Sequence, residues 1–299
     1  MSKIKELINN GIIIIDKPKQ ISSHDTSEKV KNILAGLGAE KAGHSGTLDP
    51  CVTGVLVIAL NNATPLLNYL IKKDKVYEGY LRFSENISKK KAQEIFNNFL
   101  GEIEQMPPRK CAVKRQTRKK YIYSFKAVKK IKTETDKADI YFKIKCEAGT
   151  YIRSIARDIS DKHSTCRLMT LRRTAVGNIK ENKAFTLDEL KEAYFDEYKK
   201  KGNEKPLRKI IKPVEYYVKK EMPIIIVDKN AVTPLMTGHV LYIPGIIKIE
   251  GAFKKGEAVA LFTENNKLIE IAEALEDSET IKKLKKGIAT KPIRVIMKK

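Results

Sequence analysis

Cysteine is scarce in this sequence, and its spacing is unlike that of a metal or redox site. The four cysteines are Cys51, Cys111, Cys146 and Cys166. Structural zinc sites and dithiol redox sites usually contain a Cys-x-x-Cys pair, and no such pair is present. The sequence therefore predicts no structural metal and a protein of the reducing cytosol.

Apolar runs long enough to cross a membrane are also missing. The longest, residues 12–15 and 55–60, fall far short of the roughly 18 to 20 residues that span a bilayer. The basic start of the chain is followed by an apolar stretch that breaks at residues 16–18, before any small-residue cleavage site. The sequence thus predicts neither membrane insertion nor a secretory leader, and it has no repeat of solenoid period.

Acidic residues are outnumbered by basic ones. The chain of 299 residues has 59 Lys and Arg against 36 Asp and Glu, a formal net charge of +23. Such an excess predicts a polyanionic partner. The 42% of hydrophobic residues can fill an ordinary core, and the length suggests two domains.

The first part of the chain alternates between strand and helix patterns. Residues 11–16 form a β-branched run that predicts a buried strand. Asp25 and Glu28 have the spacing of a capping box, which predicts the start of a helix that ends near Gly36 and Gly38. A second capping box, at residues 186 and 189, predicts another helix.

Two further segments show the alternation of half-buried strands, residues 76–83 and 138–146. Residues 88–100 lie between them and carry apolar side chains at helical spacing. These patterns predict an α+β domain with a mixed, largely antiparallel sheet and flanking helices.

A change of pattern marks a second domain. Residues 199–206 are polar throughout, and from Ile224 onward short apolar strands recur every 10 to 15 residues, which is typical of a small β-barrel. The sequence predicts a first domain at residues 1–208 and a barrel at residues 219–299.

The strongest chemical signal is the segment GHSGTLDPCVTG at residues 43–54, which surrounds Asp49. Its glycines allow the backbone to approach a ligand closely, and Pro50 stiffens the turn behind the carboxylate. Taken alone, an aspartate in such a loop is more often an Asx-turn residue than a nucleophile. Cys51 is interpreted as a small spacer.

Several segments together resemble one family. They are GIIIIDKP with SSH at 11–24, GHSGTLDP at 43–50, KVY at 75–77, QMPPRKCAVKR at 105–115, GTYIRSI at 149–155 and LRRTAVG at 171–177. In this order they resemble the TruB/dyskerin family of pseudouridine synthases. The C-terminal part, with AVTPLMTGHVLYIPGI, resembles a PUA RNA-binding domain. The segments at 43–54 and 107–115 are more similar to the archaeal and eukaryotic H/ACA type than to bacterial TruB.

The resemblance implies a reaction and its residues. Pseudouridine synthases break the N1–C1′ bond of uridine, turn the captive uracil and rejoin it through C5, without metal or organic cofactor. It further implies that Asp49 is the nucleophile, that Arg153 pairs with it, and that Tyr77 stacks on the target uracil and accepts a ribose proton. The alternatives are a surface arginine at 153 and a core tyrosine at 77.

The same resemblance implies RNA contacts. His44 matches the histidine that helps to hold the flipped nucleotide, and Tyr151 and Leu171 match positions that line the uracil pocket, although both could equally be ordinary core residues. Lys114 and Arg115 fall in a segment, residues 107–120, with seven Lys or Arg; a solvated basic loop is the alternative to RNA binding. Gly238 matches the PUA loop that grips the RNA terminus, unless the barrel serves only protein contacts.

The implied function is that of the catalytic subunit of an H/ACA ribonucleoprotein, in which a guide RNA presents uridines of rRNA. The implied partners are guide RNA, rRNA, possible tRNA substrates and small H/ACA core proteins, with no membrane. The implied location is the cytoplasm of a prokaryote or a nucleolar-type particle of a eukaryote. Two alternatives stay open: a stand-alone enzyme for the tRNA T-loop, and a catalytically idle RNA-binding scaffold, against which the presence of Asp49, Tyr77 and Arg153 argues.

Overall fold

The structure is a computed structural model that describes residues 3–71, 74–106, 116–131, 136–163 and 165–297. Its contacts divide the chain into two compact units, one of residues 1–8 and 12–211 and the other of residues 9–11 and 212–299. The helices are α1 Lys3–Asn9, α2 Ser23–Leu34, α3 Leu67–Ile71, α4 Lys89–Asn97, α5 Ile152–Lys162, α6 Leu187–Lys191, α7 Lys205–Ile210, α8 Val214–Glu221, α9 Lys229–Met236 and α10 Ser278–Lys283. A π-helix, Glu192–Lys199, continues α6.

The strands are β1 Gly11–Lys17, β2 Ala42–Ser45, β3 Thr53–Leu60, β4 Lys75–Phe83, β5 Gly101–Gln105, β6 Arg118–Ile131, β7 Ala138–Cys146, β8 Cys166–Val176, β9 Ile179–Lys180, β10 Ile211–Pro213, β11 Ile224–Val227, β12 Leu241–Tyr242, β13 Ile246–Glu250, β14 Ala258–Thr263, β15 Leu268–Ala274 and β16 Ile288–Val295.

The first unit is built on a mixed sheet. Its strands follow the order β1-β3-β8-β4-β7-β6-β5, with β2 beside β3 and β9 beside β8. Neighbouring strands are antiparallel, apart from the parallel pair β3 and β8. The predicted α+β class with a largely antiparallel sheet and flanking helices is confirmed.

Two apolar cores explain the patterns of the strands. One core lies between helices α4 and α5 and strands β4, β6, β7 and β8. The other joins α1, α2, α6 and α7 to β1 and β3. Strand β1 is apolar at consecutive positions because residues 12–15 are all fully buried, on both faces of the sheet. Strand β7 alternates instead because only one of its faces is buried.

Helix α2 begins differently from the prediction. The capping box is formed by Ser22 and Asp25: the Ser22 hydroxyl accepts a hydrogen bond from the Asp25 amide, and the Asp25 carboxylate accepts one from the Ser22 amide. The assignment of Asp25 and Glu28 to this box was wrong. A serine three residues before an aspartate satisfies the orphan amides earlier, so the helix starts before Asp25. The capping box of Thr186 and Glu189 is confirmed.

The second unit contains a curled, half-barrel sheet of strand order β12-β16-β15-β14-β11-β13. Strand β11 runs parallel to β14 and antiparallel to β13. The apolar core of this unit includes Val227, Leu261 and Ile269, which lie on three neighbouring strands. Among the described residues, no helix of either unit is long and apolar enough to cross a membrane.

One buried carboxyl group of the second unit should make its stability depend on pH. Glu270 is fully buried on β15, and neither carboxyl oxygen has a hydrogen-bond partner among the described residues. Burial raises the pKa of Glu270 to about 8. Unfolded Glu270 ionises near pH 4.5, so the protein should lose stability as pH rises from that value to about 8.

We therefore expect Glu270→Gln to stabilise the protein increasingly over this pH range, by up to about 5 kcal/mol, since one pKa unit corresponds to about 1.4 kcal/mol. Urea unfolding between pH 5 and pH 8.5 measures the difference. Glu273→Gln is the control, because Glu273 lies on the same strand but forms an ion pair with Lys291 at 3.0 Å. Equal pH profiles for Glu270→Gln and the wild type would contradict the assignment.

Candidate active site

The segment that carries Asp49 is held by hydrogen bonds on both sides of this residue. On the N-terminal side, the buried Ser23 hydroxyl donates to the Leu48 carbonyl at 2.9 Å and accepts from the Leu48 amide at 2.8 Å. On the C-terminal side, the Val52 amide donates to the Asp49 carbonyl at 3.0 Å. The Pro50 carbonyl accepts from the Gln20 amide at 2.8 Å. The backbone of Asp49 is therefore fixed, while 41% of its side chain is exposed.

Lys17 supports the same turn from behind. Its side chain is fully buried at the end of β1 and donates to the carbonyls of Pro18 at 2.8 Å and Ile21 at 2.7 Å, with a longer contact to Pro50 at 3.4 Å. Burial lowers the pKa of Lys17, and the charges of Cys51 and Asp49 oppose this shift. A buried ammonium is costly unless it is hydrogen bonded, so Lys17 fixes the chain around it.

Arg153 lies opposite the carboxylate. It stands in the first turn of α5, directly after the turn closed by Thr150, whose hydroxyl donates to the Glu147 carbonyl at 2.8 Å. Arg153 Nε lies 3.1 Å from Asp49 Oδ2. The structure thus brings together two of the predicted site residues that are 104 positions apart in the sequence. Their ion pair is half-exposed, as a site that must admit a substrate requires.

The start of α5 is positioned by Gln105. This residue ends β5, and its side-chain amide forms two hydrogen bonds with the backbone of Tyr151: its Oε1 accepts from the Tyr151 amide at 3.0 Å, and its Nε2 donates to the Tyr151 carbonyl at 3.2 Å. Tyr151 is the N-cap residue of α5. The buried amide of Gln105 therefore sets the point from which Arg153 projects.

Tyr77 lies on β4 between Ile144 of β7 and Arg173 of β8. It is buried and packs in the same cluster as Leu171 and as Leu48 and Val52, which flank Asp49. Burial raises the pKa of the Tyr77 phenol, the positive charge of Arg173 opposes this shift, and the charge of Asp49 adds to it. Tyr77 is thus within electrostatic range of the carboxylate.

His44 lies on β2, half-buried, with its Nδ1 2.9 Å from the Ser27 hydroxyl of α2. That hydroxyl also donates to the Ser23 carbonyl at 3.0 Å. Burial lowers the pKa of His44, as do the positive charges of His24 and Arg173. The neutral ring is therefore favoured, and its orientation is set by α2.

Three predicted residues lie elsewhere or are not described. Gly238 follows α9 in the second unit with a left-handed φ of +85°, and its amide donates to the Leu235 carbonyl at 2.9 Å. Lys114 and Arg115 lie outside the described residues. Within the described ranges, no three His, Cys, Asp or Glu side chains are grouped in a way that could hold a metal ion.

Four supporting residues were missed by the sequence analysis: Ser23, Lys17, Gln105 and Arg173. Each lies within a segment that resembles the family, but the resemblance of the segment did not assign a role to the residue. The signal that could have identified them is their polarity within apolar surroundings, because a polar residue in a buried strand or at the buried face of a helix needs a partner.

The arrangement suits nucleophilic catalysis on a flipped base. A carboxylate is a nucleophile only when it is ionised and within reach of an electrophilic carbon. The turn exposes Asp49, and the guanidinium of Arg153 lies 3.1 Å from one of its carboxylate oxygens and restrains its orientation. The ring of Tyr77 packs in the cluster that also contains Leu48 and Val52, on either side of Asp49.

Comparisons with known protein families match three consecutive parts of the chain. Residues 31–152 match the model of the TruB family pseudouridylate synthase N-terminal domain. Residues 153–219 match the tRNA pseudouridylate synthase B C-terminal domain, and residues 223–296 match the PUA domain.

Relatives extend over nearly the whole chain. A probable tRNA pseudouridine synthase B from Archaeoglobus fulgidus is 38% identical over 297 residues, which cover 99% of this chain and 88% of the relative. The solved structure of a Cbf5-Nop10-Gar1 complex matches with a TM-score of 0.87 and 34% identity, over 99% of this chain and 87% of the matched chain. An H/ACA RNP bound to a substrate RNA containing 2′-deoxyuridine matches with a TM-score of 0.86 and 32% identity, over 98% and 87% of the two chains.

A mixed sheet that supports an aspartate, an arginine and a tyrosine, followed by a PUA domain, defines an RNA-modifying isomerase. The sequence identity of 38% over 297 residues with the Archaeoglobus relative then shows the family to which the chain belongs. The chain belongs to the TruB family of pseudouridine synthases. The family, the fold class and the enzyme class predicted from the sequence are confirmed.

Proposed function

We propose that this protein isomerises uridine to pseudouridine in RNA as the catalytic subunit of an H/ACA guide ribonucleoprotein, with rRNA as its main target. The observation that carries this proposal is the Asp49 carboxylate, half-exposed and 3.1 Å from Arg153, within a chain that matches Cbf5 over 99% of its length. The alternative of an idle scaffold is disfavoured, because a protein that only binds RNA needs no exposed carboxylate fixed beside a buried tyrosine.

In this proposal each predicted site residue of the first unit has a defined role. Asp49 is the nucleophile, Arg153 pairs with it and orients it, and Tyr77 stacks on the uracil and accepts a ribose proton. His44 holds the flipped nucleotide, and Tyr151 and Leu171 line the pocket. The half-buried position of Tyr151 at the start of α5 and the place of Leu171 in the cluster around Tyr77 support these two assignments.

The proposed partners are a guide RNA, rRNA and small core proteins. The net charge of +23 favours a large polyanion. Two of the solved structures that the chain resembles are a Cbf5-Nop10-Gar1 complex and an H/ACA RNP bound to a substrate RNA. We propose that Gly238 of the PUA domain contacts the guide RNA, since its left-handed loop is exposed and no atom of the described residues lies within 4 Å of where a Cβ would be.

We propose a catalytic domain at residues 1–208 and a PUA domain at residues 219–299. The contact boundary at residues 211 and 212 and the PUA match at 223–296 support this division. Because the substrates are cellular RNAs, we propose the cytoplasm as its location if the source is a prokaryote, and a nucleolar-type particle if it is a eukaryote.

A stand-alone enzyme for the tRNA T-loop is the second candidate, since the curated relatives are named tRNA pseudouridine synthase B. Purified protein should be incubated with unmodified tRNA alone, and in parallel with an H/ACA guide RNA, core proteins and an rRNA fragment. Product is measured by tritium release from 5-³H-uridine. Turnover only in the second mixture supports the guide-dependent function. Turnover in the first mixture, which contains tRNA without guide RNA, supports the second candidate. Turnover in neither mixture would reject both functions.

The basic segment at 107–120 should contribute to RNA affinity through charge. We expect the double change Lys114→Ala and Arg115→Ala to weaken RNA binding and to reduce the slope of log K against log salt by up to about 0.9 per lost phosphate contact. Filter binding between 50 and 300 mM KCl measures the slope. Lys282→Ala, which removes a lysine of the second unit paired with Glu279, is the control. An unchanged slope in the double variant would exclude this segment from RNA binding.

A further inference from the structure

Arg173 is a buried charged residue to which the proposed mechanism assigns no role. It belongs to the segment LRRTAVG and is 1% exposed, which makes it one of the largest fully buried side chains of the chain. Burial of a guanidinium is costly unless its charge and its donors are satisfied. Its position beside Tyr77 on the neighbouring strand indicates why the fold accepts this cost.

Two nitrogens of Arg173 hold the segment that carries Asp49. Nε donates to the Val55 carbonyl at 2.8 Å, and Nη1 donates to the Gly46 carbonyl at 2.6 Å. Residues 46 and 55 lie on either side of Asp49, so one planar group joins both ends of the catalytic segment. The backbone approaches equally closely: a Cβ at Gly54 would lie 2.2 Å from the Arg173 carbonyl oxygen.

The third nitrogen, Nη2, is buried and has no hydrogen-bond partner among the described residues. A buried donor without an acceptor destabilises a fold by about 1 to 3 kcal/mol, and such groups need an explanation. Burial raises the pKa of the Tyr77 phenol, the positive charge of Arg173 opposes this shift, and the charges of Cys146 and Asp49 add to it. Burial lowers the pKa of His44, and the positive charge of Arg173 adds to this shift. The guanidinium thus acts on two further residues of the site.

We propose that Arg173 is a positioning residue that holds both ends of the Asp49 segment through Nε and Nη1 and stabilises, through its charge and its unused Nη2, the ionised form of the Tyr77 phenol. That form is the one able to accept a proton. The proposal rests on the proposed function, because it concerns the same reaction. It adds a link between the nucleophile and the tyrosine, since a single side chain serves both.

The test separates the shape of the Arg173 guanidinium from its charge. Arg173→Lys keeps the positive charge but loses the planar group that donates to both carbonyls, whereas Arg173→Gln loses the charge and the planar guanidinium. Single-turnover rates should be measured between pH 6 and pH 10 with saturating substrate, and scaled to the folded fraction from circular dichroism. RNA affinity is measured separately by filter binding.

We expect Arg173→Lys to be about tenfold slower than the wild type with an unchanged pH dependence. We expect Arg173→Gln to be at least about a hundredfold slower, the size of effect that follows the loss of one preorganised donor, and its rate should rise only at higher pH. RNA affinity should change less than threefold in both variants, because Arg173 is buried.

Arg172→Gln is the matched control. Arg172 precedes Arg173 on β8 and pairs instead with Asp16 and Glu181, each at 2.8 Å. Its loss should lower stability without changing the pH dependence of the rate.

Equal scaled rates for the wild type and Arg173→Lys would reject the positioning role. An unshifted pH dependence in Arg173→Gln, or an equal shift in Arg172→Gln, would reject the role of the charge. A wild type without turnover on either RNA would instead reject the proposed function.

Discussion

Asp49→Ala should abolish pseudouridine formation, with a loss in single-turnover rate of at least about 10⁴-fold, because no other group can replace a missing nucleophile. RNA affinity should stay within a few fold of the wild type. The protein should also stay folded, because a half-exposed ion pair such as the one between Asp49 and Arg153 contributes no more than about 1 kcal/mol to the stability of the fold. Tritium release and filter binding on the same preparation measure the two quantities.

Asp74→Ala is the control for this substitution. Asp74 also forms a surface ion pair, 3.2 Å from Lys145, and its side chain is 36% exposed against 41% for Asp49. General effects of removing a surface carboxylate should therefore be equal in the two variants. Wild-type rates in Asp49→Ala would show that this residue is not the nucleophile, whereas losses of equal size in both variants would point to a nonspecific cause.

Tyr77→Phe should lower the single-turnover rate by about 10³-fold. The substitution keeps the aromatic face but removes the oxygen, and proton transfer by a positioned side chain contributes typically 10² to 10⁴-fold. Affinity for the RNA should change little, because stacking on the flipped base is retained. The separation of rate from affinity distinguishes a proton-transfer role from a packing role.

Tyr80→Phe provides the comparison, since Tyr80 lies three residues further along β4 and its ring packs on Tyr141 at a centroid distance of 5.0 Å. We expect its rate to equal that of the wild type. If Tyr77→Phe also kept the wild-type rate, the phenol oxygen would have no part in the reaction and the stacking role alone would remain.

The sequence was sufficient for the fold class because each element carries a local pattern. The alternation in residues 138–146 follows from a strand buried on one face, and the run at residues 12–15 follows from a strand buried on both. The start of α2 was missed because Ser22, Asp25 and Glu28 offer two overlapping capping boxes. The structure forms the box of Ser22 and Asp25, and the buried Ser23 that follows the N-cap hydrogen bonds to Leu48.

The site was only partly predictable for a different reason. Asp49 and Tyr77 lie in segments that resemble a known family, so their importance could be inferred without coordinates. The supports of the site depend on contacts between distant segments, such as Ser23 with Leu48 and Arg173 with Gly46. No periodicity along the chain encodes such pairs, because they exist only once the sheet has formed.

The double hydrogen bond from Gln105 to the Tyr151 backbone has a mechanical consequence. Gln105 stands two positions before the basic segment that begins at residue 107, while Tyr151 stands two positions before Arg153. The two hydrogen bonds join the end of β5 to the first turn of α5, so the placement of Arg153 depends on a residue that does not contact it. A change at position 105 should therefore displace the guanidinium even though the ion pair itself is left intact in the sequence.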